Sequence, residues 1–186
     1  MKKTLIALAL ALLCLVLPAC AGKNPTVEIE VANYGTITLE LDHDAAPITV
    51  DNFVKLAKSG FYDGLTFHRI MNGFMIQGGD PTGTGFGGAP ESIKGEFEAN
   101  GVKNPISHKR GVISMARNAY DLDSASSQFF IVHQDSLFLD GQYAAFGHVT
   151  SGMEVVDAIA ASTPVIDNNG TVPPEYQPVI IAVRVK

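Results

Sequence analysis

The chain has 186 residues, of which 46% are hydrophobic and 17% are charged, so it can fold around a sizeable core and is not intrinsically disordered. It carries 13 basic and 19 acidic side chains, a formal net charge of −6, without any run of basic residues. This balance argues against a nucleic-acid-binding protein. We expect one globular domain whose partners are proteins or peptides.

The first 19 residues are predicted to be a secretory signal peptide. Lys2 and Lys3 precede an apolar run over residues 5–17. This run is too short to span a bilayer hydrocarbon core of about 30 Å. The protein is therefore expected to be exported to the cell envelope or periplasm, and loss of the two lysines would leave the domain more acidic.

The end of this signal allows two interpretations. Residues 17–20, Leu-Pro-Ala-Cys, resemble the bacterial lipobox, in which the cysteine is lipidated and becomes the new N-terminus; we favour this reading for Cys20. Residues 19–21, Ala-Cys-Ala, are alternatively an A-x-A site for ordinary signal peptidase, which would release a freely secreted protein. Residues 20–26 are predicted to be a linker to a domain over residues 27–186.

No metal or thiol chemistry is predicted for this domain. The two cysteines, Cys14 and Cys20, belong to the signal and its end, so no later residue can form a disulfide or act as a thiolate ligand or nucleophile. Five histidines are scattered along the chain, without the close pairs that mark many zinc sites; they are His43, His68, His108, His133 and His148.

A glycine-rich stretch over residues 83–88 matches the G-x-G-x-x-G pattern of dinucleotide-binding proteins. The context does not fit, because Pro90 and a strand-like region follow where the phosphate-binding helix should begin. We interpret the stretch as a mobile loop and predict no nucleotide cofactor.

Hydrophobic periodicity predicts a mainly β domain with two helices. Alternating apolar residues predict an opening hairpin over residues 27–31 and 36–42, and helical spacing predicts helices over residues 46–60 and 152–162. Six further short strands are predicted over residues 65–71, 73–79, 110–117, 127–133, 143–150 and 178–186. Eight such strands are typical of an antiparallel sandwich or a closed barrel.

Arg69 is a fixed charge among apolar residues, followed by the turn signal Asn72-Gly73. A two-residue turn would pair Arg69 with Ile76, whereas one extra loop residue would pair it with Met75 and bring Gln77 onto the same face. The second register would make a polar clamp beside an apolar pocket. The alternative is an outward-facing strand residue whose charged head stays in water.

Six segments of the chain resemble the cyclophilins, a family of peptidyl-prolyl cis-trans isomerases, over about residues 26–186. In the family's order they are FHRI, GFMIQGGD, GVISMA, SQFFI, LDGQYAAFG and GMEVVD. The resemblance implies a closed eight-stranded antiparallel barrel capped by two α-helices, and an enzyme that accelerates Xaa-Pro bond rotation in exported, folding proteins. It implies proline-containing peptides as partners and no cofactor, and we expect a monomer.

The resemblance also implies the residues of the site. Arg69 corresponds to the substrate-binding arginine of the family and Gln77 to the glutamine that supports it, with Phe74 beside them in the catalytic group. The implied substrate-binding residues are Met75, Phe130 and Leu139 in the proline pocket, Ala116 and Gln128 along the groove, and Phe138 and Tyr143 in the aromatic wall.

Three positions depart from the best-known eukaryotic pattern. Phe138 stands in place of a tryptophan, Tyr143 in place of a histidine, and Arg117 in place of an asparagine. The first two keep an aromatic wall, so isomerase activity is expected to survive. Loss of the indole N–H argues against cyclosporin binding, and Arg117 can alter the preferred residue before proline. The alternative hypothesis is a peptide-binding or chaperone module that turns over slowly.

Overall fold

The computed structural model describes residues 24–186. The predicted signal peptide over residues 1–19 and the predicted lipidation site at Cys20 lie outside the described residues. Within residues 24–186, no helix is long and apolar enough to cross a membrane.

Eight antiparallel strands form one curled sheet, and two helices accompany it. The strands are β1 (Thr26–Val31), β2 (Gly35–Leu41), β3 (Thr66–Met71), β4 (Met75–Asp80), β5 (Val112–Met115), β6 (Phe129–Val132), β7 (Ala145–Ser151) and β8 (Ile180–Val185). The helices are α1 (Pro47–Lys58) and α2 (Met153–Ser162). The strands pair in the order β3-β4-β6-β5-β7-β2-β1-β8, which confirms the predicted mainly β class with eight antiparallel strands and two helices.

Helix α1 begins at a proline, and a carboxylate from a distant part of the chain caps its first turn. Pro47 lies in the first turn, where its missing N–H costs no helical hydrogen bond. The buried carboxylate of Glu96 accepts hydrogen bonds from the backbone N–H groups of Ile48 (3.1 Å) and Thr49 (2.8 Å). Glu96 therefore caps the helix and complements its positive end.

Aromatic side chains dominate the core between α1 and the sheet. Phe129 of β6 lies 5.5 Å from Phe53 of α1, 5.7 Å from Tyr62 and 6.0 Å from Phe67 between ring centroids, each edge to face. Phe146 of β7 lies 5.2 Å from Phe53. All five side chains are fully buried, and the edge-to-face arrangement is one that aromatic rings favour.

The edge strands β3 and β8 meet only at one end, so the predicted closed barrel is too strong a description. Thr66 and Val179 form a bridge, in which the N–H of Ile180 donates to the carbonyl of Leu65 at 2.8 Å and the N–H of Phe67 donates to the carbonyl of Pro178 at 2.9 Å. Just before β3, the N–H of Gly64 also donates to the carbonyl of Ile180 at 2.8 Å. The sheet curls toward closure without continuous pairing of its two edges.

Residues 169–172 cover the rest of the β3 edge. The N–H of Ile70 donates to the carbonyl of Gly170 at 2.8 Å, and the N–H of Val172 donates to that of His68 at 3.0 Å. This segment satisfies backbone groups that a fully paired β8 would have bonded. Gly170 has a φ of 79°, and a Cβ atom at this position would collide with the Ile70 carbonyl, so the close approach requires glycine.

Candidate active site

The hairpin of β3 and β4 places Arg69 directly opposite Gln77. Its loop comprises residues 72–74, and the register pairs Met71 with Met75 and Arg69 with Gln77. The loop has the extra residue of the second predicted register, but both predicted partners of Arg69, Met75 and Ile76, are wrong. A longer loop shifts the partner of Arg69 away from the turn, so the two polar side chains are cross-strand neighbours.

Three contacts fix the guanidinium of Arg69. Its Nη1 donates to Oε1 of Gln77 at 3.1 Å, its Nε donates to the carbonyl of Asn169 at 2.8 Å, and its Nη2 lies 3.2 Å from the sulfur of Met71. Burial lowers the pKa of Arg69, but a guanidinium stays charged at physiological pH. A planar cation is thus held in one orientation, and these contacts leave two of its five N–H groups for a ligand.

A second amide extends this network from Gln77. Nε2 of Gln77 donates to Oε1 of Gln128 at 2.9 Å, and Nε2 of Gln128 donates to the carbonyls of Gly85 (3.0 Å) and Gly87 (2.7 Å). Because a primary amide has one acceptor end and one donor end, these partners set which way both amides point. The oxygen of Gln77 therefore faces the guanidinium.

The glycine-rich loop folds around the carboxylate of Asp80, the last residue of β4. Four backbone N–H groups converge on this carboxylate, those of Thr82 (2.7 Å), Thr84 (3.1 Å), Gly85 (2.6 Å) and Gly87 (3.1 Å). The chain's own carboxylate thus fills the nest of N–H groups that resembles a phosphate-binding motif in the sequence. These contacts argue against the mobile loop that its glycine content predicts.

We expect Asp80→Asn to lower the free energy of unfolding by about 1–3 kcal/mol, because an amide must turn its NH₂ end toward at least one backbone N–H. Burial raises the pKa of Asp80, but the hydrogen bonds outweigh burial and hold the pKa below its usual value. The stabilisation that the ionised Asp80 carboxylate provides is therefore fully present above its unfolded-state pKa of about 3.9. It is lost as pH falls through the lower pKa of Asp80 in the folded state.

Urea unfolding of wild type and Asp80→Asn at neutral and acidic pH measures this difference, which should shrink in acid. Asp44→Asn changes an exposed aspartate and is the matched control. An equal loss of stability in both variants would contradict the role given to Asp80.

An apolar pocket of about 630 Å³ lies beside Arg69. Its aromatic walls pack in pairs, with ring centroids of Phe74 and Phe138 5.5 Å apart and those of Phe130 and Tyr143 5.9 Å apart. The buried residues that line it include Met75, Phe130 and Leu139. A pocket with apolar walls and the Arg69 cation at its edge suits a small apolar ring attached to a polar group.

A second depression of about 500 Å³ adjoins the apolar pocket. Residues common to both include Gln77, Ala116 and Arg117, while Gln128 lines the second. Every site residue predicted within residues 24–186 therefore lines one or both depressions, and a continuous groove runs from the aromatic pocket past Arg117.

Several residues that support the groove were not predicted from the sequence. Asn169, whose carbonyl accepts a hydrogen bond from Arg69, was not assigned to the site. His108 was not assigned to the site; its ring stacks on Phe130 with centroids 6.1 Å apart, and its nitrogens lie 2.9 Å from Asp140 and 3.0 Å from Ser114. Burial lowers the pKa of His108, and this effect outweighs the hydrogen bond to Asp140, which acts to raise it. No local pattern distinguishes this buried histidine from a surface one.

His68 is a further unpredicted member of the site. Phe67 pairs with Gly78 and Arg69 with Gln77, so His68 is the extra residue of a bulge, a feature that re-aims a side chain. It is buried and lines the apolar pocket. Burial lowers the pKa of His68; the Asp80 carboxylate opposes this effect and the Arg69 charge adds to it. The ring is therefore neutral next to Arg69 at neutral pH.

The free energy of unfolding should fall as pH drops below about 6.5, the ordinary histidine pKa. In that range the unfolded chain binds a proton at position 68 that the folded chain does not bind, so acid favours unfolding. His68→Gln should therefore lose less stability than wild type between about pH 7 and pH 5.5, measured by urea unfolding. His148→Gln, at an exposed histidine, is the control, and an unchanged pH dependence in His68→Gln would refute this assignment.

Comparison with known proteins identifies the family. The family model described as cyclophilin type peptidyl-prolyl cis-trans isomerase/CLD matches residues 26–185. The chain belongs to this family. This cyclophilin is 52% identical over 118 residues to peptidyl-prolyl cis-trans isomerase B of Bacillus subtilis, covering 63% of this chain and 78% of the relative. It is 50% identical over 129 residues to a peptidyl-prolyl cis-trans isomerase of Helicobacter pylori, covering 68% and 76%.

A solved structure agrees with this cyclophilin in fold. The crystal structure of a cyclophilin type peptidyl-prolyl cis-trans isomerase from Cryptosporidium parvum, in the presence of the dipeptide Ala-Pro, matches with a TM-score of 0.76 and 31% sequence identity. The match covers 87% of this chain and 98% of that chain. The protein is therefore a cyclophilin-type peptidyl-prolyl cis-trans isomerase.

Proposed function

We propose that this cyclophilin accelerates rotation of Xaa-Pro bonds in exported proteins while they fold, from a position on the cell-envelope membrane where a lipid on Cys20 holds it. The observation that supports the site most directly is the Arg69 guanidinium, fixed by Gln77 and the Asn169 carbonyl at the edge of an apolar pocket. The lipobox-like residues 17–20 support the location.

The chemistry requires only that the twisted state of the Xaa-Pro bond be favoured. Partial double-bond character sets a barrier near 20 kcal/mol and makes uncatalysed rotation slow. In the twisted state the prolyl nitrogen loses resonance and gains a lone pair that accepts a hydrogen bond. A fixed guanidinium N–H directed at this position stabilises the transition state more than either planar isomer.

The groove supplies the second requirement, which is to hold the two sides of the bond separately. Phe130, Met75 and Leu139 can enclose the proline ring, while Gln128 and Ala116 contact the rest of the peptide. Rotation then occurs between two anchored parts, and each tenfold gain in rate needs about 1.4 kcal/mol of selective transition-state binding. A charge-assisted hydrogen bond supplies energy of this order.

The direct test is the cis-to-trans exchange rate of a short Xaa-Pro peptide with residues 24–186, followed by NMR, together with the affinity of the peptide. We expect exchange to accelerate at catalytic enzyme concentrations. Binding without acceleration would overturn the enzymatic role and favour the peptide-binding or chaperone module instead.

Membrane attachment is tested separately from catalysis. Mass spectrometry of the mature N-terminus in the exporting cell should show a lipid-modified Cys20, and Cys20→Ala should move the protein from the membrane fraction to the soluble fraction. An unmodified N-terminus that begins after Ala21 would show that the protein has no lipid anchor and is secreted by the ordinary route.

A further inference from the structure

Arg117 lies where the apolar pocket and the second depression meet, and the protein itself orders its side chain. The guanidinium carbon lies 4.8 Å from the ring centroid of Tyr143 and 5.2 Å from that of Phe97. Nε donates to the carbonyl of Gln142 at 3.1 Å, and Nη1 donates to that of Asn118 at 2.9 Å. A ligand that meets this cation does not have to immobilise a flexible side chain, which removes one cost of binding.

The protein does not neutralise this cation with a carboxylate of its own. Among residues 24–186, Arg117 forms no ion pair, whereas Arg110 and Arg184 each pair with an aspartate. Asp123, in the loop that follows Arg117, instead accepts a hydrogen bond of 2.9 Å from the N–H of Gly95. In a chain with a net charge of −6, an ordered arginine in the groove that contacts only carbonyls and ring faces retains the capacity to bind an anion.

The shared walls of the two depressions set the position of Arg117 relative to a bound proline. Gln77, Ala116 and Arg117 line both depressions. A peptide whose proline ring fills the apolar pocket therefore passes these residues on its way to the second depression. An extended chain advances about 3.3 Å per residue, so a side chain one or two positions from the proline comes within reach of the guanidinium.

We infer that Arg117 forms a carboxylate subsite, and that the enzyme prefers Xaa-Pro peptides with an acidic residue one or two positions from the proline. The inference rests on the proposed function, because it places the proline ring in the apolar pocket. Charge-assisted N–H···O⁻ bonds are shorter and stronger than neutral ones, and a planar guanidinium presents its free donors in a fixed direction.

A purely structural role for Arg117 is the competing explanation. By this account the side chain only ties the loop after β5 to Gln142, through the backbone bonds and the stacking on Tyr143. That role predicts a loss of stability when Arg117 is replaced, but it predicts no dependence of catalysis on the charge of the peptide. Peptide charge is therefore the variable that separates the two explanations.

The experiment compares peptides that carry glutamate or glutamine at one position, placed in turn one or two residues before or after the proline. For wild type, kcat/KM and Kd should favour glutamate over glutamine by about three- to fivefold at one of these positions. The preference should shrink in about 1 M salt, which screens exposed charges. In Arg117→Gln it should disappear, while Lys58→Gln, which removes an exposed charge from α1, should leave it unchanged.

Equal values for glutamate and glutamine at all four positions in wild type would overturn the subsite, even if Arg117→Gln failed to fold. A preference that survives in Arg117→Gln would also overturn it. Failure of the proposed function would give a different result: the wild-type protein would not accelerate cis-to-trans exchange of any of the peptides. In that case a charge preference in Kd that requires Arg117 would still establish the carboxylate subsite.

Discussion

Arg69→Lys should lower kcat/KM for Xaa-Pro rotation nearly as far as Arg69→Ala, on the order of 100-fold. Lysine keeps the charge but has no planar fork, and its ammonium is more strongly hydrated. It cannot donate to Gln77 and to the Asn169 carbonyl and still hold free donors in the same plane, as the guanidinium does. The orientation of the cation, and not its charge alone, should therefore carry the catalytic effect.

Isomerisation kinetics on one neutral peptide measure this effect, with circular dichroism to confirm folding. Arg184→Lys is the matched control, because it makes the same change at an exposed arginine of β8 that pairs with Asp63. Near-normal turnover in Arg69→Lys would show that a positive charge suffices and would refute the geometric role. A comparable loss in Arg184→Lys would point to a general effect on the fold.

Phe130→Ala should weaken peptide binding by at least about tenfold and lower turnover, because truncating an aromatic anchor in a binding pocket costs roughly 2 kcal/mol. Phe130 stacks on His108 and meets Tyr143 edge to face, so it forms a wall of the pocket. Titration calorimetry with a proline-containing peptide gives the affinity. An unchanged Kd would remove Phe130 from the proline site.

The preceding residue of β6 provides the contrast. Phe129 projects to the other side of the sheet, into the aromatic core around Phe53. Phe129→Ala should lower the free energy of unfolding by about 3–5 kcal/mol, measured in urea. Where enough protein stays folded, it should bind the peptide with near-normal affinity. Neighbouring phenylalanines should thus separate stability from binding, and equal phenotypes would contradict the assignment of the two faces.

Much of this fold could be predicted from the sequence, because its strands and helices carry clear hydrophobic periodicity. The opening hairpin follows from alternation, and the two helices follow from apolar stripes, around Phe53 in α1 and around Val156 in α2. Barrel closure could not be predicted in the same way. Residues 169–172 have no strand periodicity, yet they cover most of the edge of β3, so β8 contacts β3 at one end only. The local sequence pattern does not indicate this arrangement.

The candidate site was likewise predicted only in part. Arg69, Gln77 and the pocket residues were predicted through segments that resemble the cyclophilins, whereas their supporting contacts depend on three-dimensional proximity. The nest of N–H groups around Asp80 illustrates the limit, since the same glycine pattern serves a phosphate in one context and a side-chain carboxylate here. A single loop residue likewise decided the partner of Arg69, which the turn signal alone left open.

The hydrogen bond from Arg69 to Asn169 joins residues that are 100 positions apart in the chain. Chains emerge from the N-terminus during synthesis, so β3, β4 and β6 are all made before residues 169–172 exist. An unfinished chain contains most of the residues that line the pocket, but it has neither the carbonyl that anchors the guanidinium nor the segment that covers the edge of β3. Catalytic competence should therefore arise late, once nearly the whole chain has been synthesised and folded.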